Sequence, residues 1–215
     1  MRAFVLDDGR GAELPFGEGA ERFGRATLVW LHIDGREVAS RAWLDQQTDI
    51  PFIARTALTA SETRPRSDLV GQGVVVNLRG IGATPDDDPD PLVSVRFWAE
   101  TGRVVTFTYR KPQAIGILVR RFLEARIADP GDLLSTFADT VTAELDPVVA
   151  RLGDEVDACE SSLDGLGLRE RRRKVSRARS AAIAYRRFVS PQRQALERLA
   201  LAPIDWLDED DRAHL

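Results

Sequence analysis

This chain has almost none of the residues on which several protein classes depend. One cysteine, Cys159, among 215 residues cannot form an intramolecular disulfide, which argues against a secreted, cystine-stapled scaffold and fits a reducing compartment. The N-terminus, MRAFVLDDGRGAE, becomes charged after four apolar residues, too short for the core of an export signal. Uncharged apolar stretches such as 104–109 fall far below the roughly 20 residues that cross a bilayer. There are only two histidines, His32 in an apolar run and His214 near the end, and neither a G-x-S-x-G elbow nor a Cys-His pairing is visible, so nucleophilic catalysis has no visible machinery and no enzyme activity is expected. Charge of one sign is lacking too: 30 Lys and Arg against 34 Asp and Glu give a net charge of -4. Nothing global therefore draws the chain to nucleic acid or anionic lipid.

Hydrophobic residues make up 43% of the chain, enough to fill a core. Period-2 or continuous apolar runs at 3–6, 26–33, 73–78, 92–99 and 104–109 predict strands. The last two are joined by Glu100-Thr101-Gly102-Arg103, a hairpin-length link. Helical spacing lies between strands at 38–47 and 51–58, the second opening on a proline. The segment ATPDDDPDP, 83–91, cannot continue a strand and predicts a loop.

Beyond Pro112 the pattern is helical, and Asp129-Pro130-Gly131 divides an α/β domain, 1–130, from a helical stalk, 131–215. Phe137, Val141, Leu145, Val148, Leu152, Val156, Cys159 and Leu163 form one stripe on a long helix in which Pro147 predicts a kink or restart. After Gly165-Leu166-Gly167, a heptad seam runs through Val175, Ala178, Ala182, Tyr185, Val189, Gln192, Leu196 and Leu199, with Pro191 predicting a bend. The first helix is acidic and the second basic. An antiparallel hairpin with attracting faces follows, although exposed pairs contribute only about 0–1 kcal/mol each and seam packing must carry most of the stability. Asp205-Trp206-Leu207 followed by four acids resembles the start of a third helix, unfinished where the chain stops.

Each chemical candidate has a plainer structural reading. The basic run RERRRKVSRARS, 169–180, lacks interleaved aromatics and faces an acidic helix, so it reads as a self-neutralised stalk face and no nucleic-acid partner is expected. Cys159 falls on the apolar stripe and reads as a small core residue. The glycines of GQGVVVNLRGIG precede a strand instead of linking strand to helix, so they do not cradle a phosphate. Asp86, Asp87, Asp88 and Asp90 form one acidic loop, and Asp208 to Asp211 with His214 another; either has the oxygens to hold a hard cation weakly, but neither has EF-hand order and such loops are ordinarily solvated. His32 beside Asp34 supplies too few ligands for a tetrahedral zinc site.

Several short motifs in order nevertheless carry a likeness: FVLDDGRG at 4–11, WLHID at 30–34, ETRPR at 62–66, LRGI at 78–81, DPDPLVSVRFW at 88–98, RRFVSPQRQALERLA at 186–200 and PIDWLDEDDR after them. Over nearly its whole length the chain resembles the ZntB branch of the CorA-like divalent-cation transporters. The resemblance implies an α/β/α sandwich with a mixed sheet followed by long stalk helices, with five copies forming a funnel on the cytoplasmic face of the inner membrane. It implies transport of Zn2+ as cargo, with no tightly bound cofactor, through membrane helices and pore residues past Leu215, this fragment itself being soluble. The motif residues it singles out for a structural or gating role are Glu62, Thr63, Arg64, Pro65, Arg66, Arg186, Arg187, Pro191, Gln192 and Arg193. A reading from another class is a helical-hairpin adaptor that binds a protein partner along its seam.

ETRPR also has a reading from its residues alone. Pro65 biases Arg64 toward extended backbone, so Arg64 and Arg66 should project from a rigid segment suited to carboxylate contacts. Thr59 and Glu62 fit a capping box at a short helix entry. These arginines are expected to dock the sheet onto acidic helix residues, within or between subunits.

Overall fold

A computed structural model describes residues 1–61, 64–83, 92–161 and 168–215. The side chains of 159–161, 168 and 171 are outside that description, so Cys159 is left aside, as are the acidic loop at Asp86 to Asp90 and both Glu62 and Thr63.

One mixed sheet of 7 strands runs in the order β2-β1-β3-β7-β6-β5-β4. Its strands are β1 (Arg2–Asp7), β2 (Arg10–Leu14), β3 (Leu28–Asp34), β4 (Arg66–Val70), β5 (Gly73–Ile81), β6 (Leu92–Glu100) and β7 (Arg103–Thr108). Only β3 and β7 pair parallel, at the centre, while every other neighbour is antiparallel. The expected β6–β7 hairpin is present and turns at Gly102, whose φ of 70° favours glycine.

Helices cover both faces, which explains why the central strands read as continuous apolar runs. Toward one face β1, β3, β5 and β6 send Phe4, Leu6, Leu28, Trp30, Val74, Val76, Leu78, Val95 and Phe97. The alternate residues, including Val5, Leu31, Val75, Trp98 and Phe107, fill the other. That second face lies under α1 (Phe16–Glu21), α2 (Val38–Gln46) and α3 (Phe52–Thr59), so the architecture is the expected α/β/α sandwich.

The first face is covered by α4 (Gln113–Leu123) together with the near ends of two long helices, α5 (Pro130–Ser161) and α6 (Leu168–Ala200). From α5 come Leu133, Leu134, Phe137, Ala138 and Val141, and from α6 Ala195, Leu196 and Leu199, all within the sheet's own core. The rods are thus rooted in the sandwich. Residues 201–207 and the short α7 (Glu209–Ala213) fold back beside those roots, adding Ala202, Ile204 and Leu207 to the core.

The structure corrects several local expectations. Both α5 and α6 continue through Pro147 and Pro191 without a restart, because a proline removes one amide donor and the residues four positions back, Ala143 and Arg187, are solvent-exposed. The third helix starts at Glu209 rather than near Asp205, with Asp208 as its N-cap in a reciprocal capping box with Asp211. Thr59 ends α3, its hydroxyl donating to the Arg55 carbonyl at 3.0 Å, so it opens no helix. The helical seam is closed near the sandwich and again at Ala178, 2% exposed; elsewhere in the outer half Val156, Val175 and Val189 are partly in solvent, and beside the seam Val149 is 56% and Ile183 59% exposed. Three elements went unforeseen: β2 and β4 are short and mostly exposed, and α1 spans 6 residues with two glycines.

Phe97 joins sheet to rods, its ring 4.9 Å from that of Phe137 in an edge-on arrangement with both side chains fully buried. Phe97→Ala should lower the unfolding free energy by about 3–5 kcal/mol, measured by urea denaturation followed through tryptophan fluorescence; a loss under about 1 kcal/mol would show that the rods are not anchored there.

Candidate functional site

β4 is the shorter partner of β5: it begins at Arg66, opposite Asn77, and Pro65 before it has no amide hydrogen to give. From Leu78 onward that edge of β5 needs other partners. α6 supplies one, because Gln192, only 6% exposed, accepts the Arg79 N–H through Oε1 at 2.7 Å. The Arg79 guanidinium stacks over the Phe188 ring at 3.8 Å and donates to the Leu92 carbonyl at 3.3 Å. α5 brings the Glu144 carboxyl beside Gly80 at the same edge, and burial pushes its pKa upward.

The opposite end of this junction holds the TRPR segment. Asn77 Nδ2 donates to the Arg64 carbonyl at 2.8 Å. Arg96, only 3% exposed, donates to the Ser61 carbonyl at 3.4 Å and lies 5.0 Å from the Tyr109 ring centroid. Tyr109 in turn donates its hydroxyl to the Thr59 carbonyl at 2.8 Å. Burial pushes the Arg96 pKa below its usual value, and proximity to Arg79 adds to this. Backbone carbonyls on both sides of residues 62–63 are therefore tied to β5, β6 and the end of β7.

Three of the sequence motifs, TRPR, LRGI and RRF-x-x-PQR, meet along β5. Of the residues singled out beforehand, Gln192 is in the junction through its side chain and Arg64 through its carbonyl. Pro65 is buried beside it, and Pro191 lies half-buried within α6. Arg66 is exposed and pairs with Asp68 on its own strand at 3.3 Å, so its partner within the chain is not an acid of the helices. Arg186 and Arg187 are exposed, and Arg193 makes an i,i+4 pair with Glu197 at 2.9 Å. The sequence reading missed Asn77, Arg79, Arg96, Tyr109 and Phe188. A signal for the first two was present: in GVVVNLRGI the polar residues stand two apart inside an apolar strand.

Beyond this junction, α5 and α6 part to leave an apolar groove of about 790 Å³, floored by Leu152, Val156, Ala182 and Val189 and edged by Arg179 and Arg186. Among the described residues no group of three or more His, Cys, Asp or Glu is placed to hold a metal ion. His32 is occupied as a strand residue: Trp30 Nε1 donates to Thr106 Oγ1 at 2.9 Å, and that oxygen lies 2.8 Å from His32 Nδ1. Burial, helped by Arg2 and the N-terminal amine, lowers the His32 pKa to about 4. Asp34 is held by Arg36 at 2.6 Å, and Asp208 and Asp211 are engaged in the α7 cap. No helix among the described residues is long and apolar enough to cross a membrane.

Replacing Gln192 by alanine strands the Arg79 N–H at a buried edge, and the expected loss is about 1–3 kcal/mol of stability. Hydrogen exchange at Arg79 should accelerate in parallel; unchanged exchange would mean that Gln192 does not close the β5 edge.

Comparison with known proteins agrees with this architecture. The chain is 28% identical over 219 residues to the zinc transport protein ZntB of Pectobacterium atrosepticum, covering 100% of this chain and 65% of that protein. The ZntB of Cronobacter sakazakii is 29% identical over 214 residues, 98% of this chain and 64% of the relative. This chain thus spans just under two thirds of the length of those relatives. Among solved structures, full-length CmaX superposes with a TM-score of 0.86 at 24% identity, covering 100% of this chain and 67% of that one. The ZntB cytoplasmic domain of Vibrio parahaemolyticus gives 0.79 at 16% identity, covering 100% and 86%. With residues 25–215 matching its family profile, the chain belongs to the CorA-like Mg2+ transporter protein family.

Proposed function

We propose that this chain is the cytoplasmic, funnel-forming domain of a CorA/ZntB-type transporter that moves Zn2+ across the inner membrane. The observation that carries the reading is the match, over the whole of this chain, to proteins named zinc transport protein. Assembly would be a homopentamer, with membrane helices following Leu215 and Zn2+ as cargo rather than as a resident cofactor. The structure supports the reading in one physical respect. Two helices of 32 and 33 residues, rooted in the sandwich, carry valines and an isoleucine into solvent along their outer halves. Apolar surface of that kind gains free energy when neighbouring copies cover it.

In this reading the junction on β5 couples the two halves of the domain. A displacement of α6 is felt at Arg79 through the Gln192 bond and the Phe188 stack, and at the TRPR segment two residues away along the strand. Arg64 and Arg66 point outward, available to a neighbouring copy.

The test is ion flux in liposomes containing the full-length protein, with Zn2+ and Mg2+ supplied separately. Zn2+ uptake or release that exceeds the protein-free control is expected; flux of Mg2+ alone would overturn the zinc assignment, and no flux of either ion would remove the transport reading. Native mass spectrometry of the same preparation should give five copies.

A further inference from the structure

Asp211 is the most deeply buried carboxylate among the described residues, 4% exposed on α7. Its Oδ1 accepts from the Ser135 hydroxyl of α5 at 3.2 Å, and its Oδ2 lies 3.4 Å from the Asp208 N–H. The Asp211 N–H donates to Asp208 Oδ1 at 2.8 Å. The carboxylate rests against the first turn of α5 so closely that a Cβ at Gly131 would collide with it. Asp129, the residue before α5, accepts the Asp132 N–H at 3.0 Å, and its carboxyl borders the same space at Gly131. The site is therefore a contact between two helices made through carboxyl groups, with glycine at 131 providing the space.

The charged groups beside Asp211 are acidic apart from His214. From the start of α5 come Asp129 and, beyond it, Asp132; on its own helix is Asp208. From the end of α6 and the turn after it come backbone carbonyls of Ala200, Ala202, Ile204 and Leu207, all held by Arg212. That arginine is thus committed to the α6 terminus, and His214 turns outward to the Asp210 carbonyl at 2.8 Å. The ionised form of Asp211 is opposed first by burial and then by Asp129, and its pKa is raised to about 6. Asp129 is raised as well, chiefly by burial.

We propose that the buried Asp211 carboxyl is a proton-operated latch between α5 and α7: in its protonated form it keeps α7 docked on the first turn of α5, and its ionisation, with Asp129 close by, slackens the joint. The sign follows from linkage. A carboxyl that is raised when docked binds its proton more tightly docked than released. The joint is therefore firmest below the released value near 4 and weakens as pH rises toward 6, and Asp211 adds no further change above about 7; His214, its pKa raised by its bond to Asp210, weakens α7 separately as pH rises past 6.5, in wild type and variant alike. This goes beyond transport and is independent of which ion is moved, because it concerns how the root of the stalk holds the segment that leads to Leu215.

The experiment is amide hydrogen exchange on the 215-residue chain from pH 4.5 to 7.5, corrected for the intrinsic rate. Protection of α7 and of the first turn of α5 should fall by about tenfold per pH unit until near pH 6 and then level off. Asp211→Asn should flatten that slope. His32 acts in the opposite direction, since a histidine with a lowered pKa costs the fold stability as pH falls from 6.5 toward 4; the difference between wild type and variant removes its contribution. Equal slopes in the two proteins overturn the latch. Should Asp211→Asn fail to fold, Asp129→Asn serves: it keeps a capping side chain and removes the neighbouring charge, so the Asp211 carboxyl carbon, followed by NMR, should titrate at lower pH. A midpoint unmoved by that change overturns the proposal equally.

Discussion

The burial of one sheet face beneath the roots of α5 and α6 is the contact on which the rest of this molecule depends. Phe97, Leu78 and Val95 from the sheet meet Phe137, Val141 and Leu199 from the helices in a single apolar layer. At about 25 cal/mol per Å² of apolar area buried, a layer of this kind outweighs the surface ion pairs, each of which contributes about 0–1 kcal/mol. The rods have little to hold them together farther out, where Val149 and Ile183 face solvent and the groove between the helices stays open. Rigidity is therefore greatest at the sandwich and declines along the hairpin.

Polar contacts then fix what the apolar layer leaves undetermined. Hydrophobic burial is non-directional and would tolerate small shifts of α6 over the sheet. The Gln192–Arg79 bond and the Arg79–Phe188 stack are directional and set the register of that helix on β5. The same strand ties down the turn into β4 through Asn77, so a single strand carries fixed points for both the helical root and the TRPR segment. Family membership and this junction fit one another: three of the motifs that mark the chain in sequence meet in space along β5.

Much of this was legible beforehand where burial was strong. The five strands foreseen are those buried on both faces, and β2 and β4, which were not, are edge strands with mixed, exposed residues. Opposed charge on the two long helices suggested a hairpin with attracting faces. Yet Arg172, Arg173, Lys174, Arg177 and Arg179 point to solvent, because exposed ions retain most of their hydration free energy and gain little by pairing. The heptad seam misled in its outer half for a related reason: periodicity records which residues share a face, and only packing decides whether anything covers it. In the candidate site, Gln192 was legible as part of a motif, whereas its partner is a backbone N–H on β5, and no sequence pattern marks a backbone group.

The sequence by itself determined the alternation along the central strands, the two long helices and the family, because each rests on residues near one another in the chain. Only the tertiary structure decided that α6 closes the edge of β5, that Arg66 pairs with Asp68 on its own strand, and that Asp211 is buried against the first turn of α5. Those contacts join positions up to 113 residues apart. What selects them is the shape and the unpaired polar groups of a surface that exists only once the chain has folded.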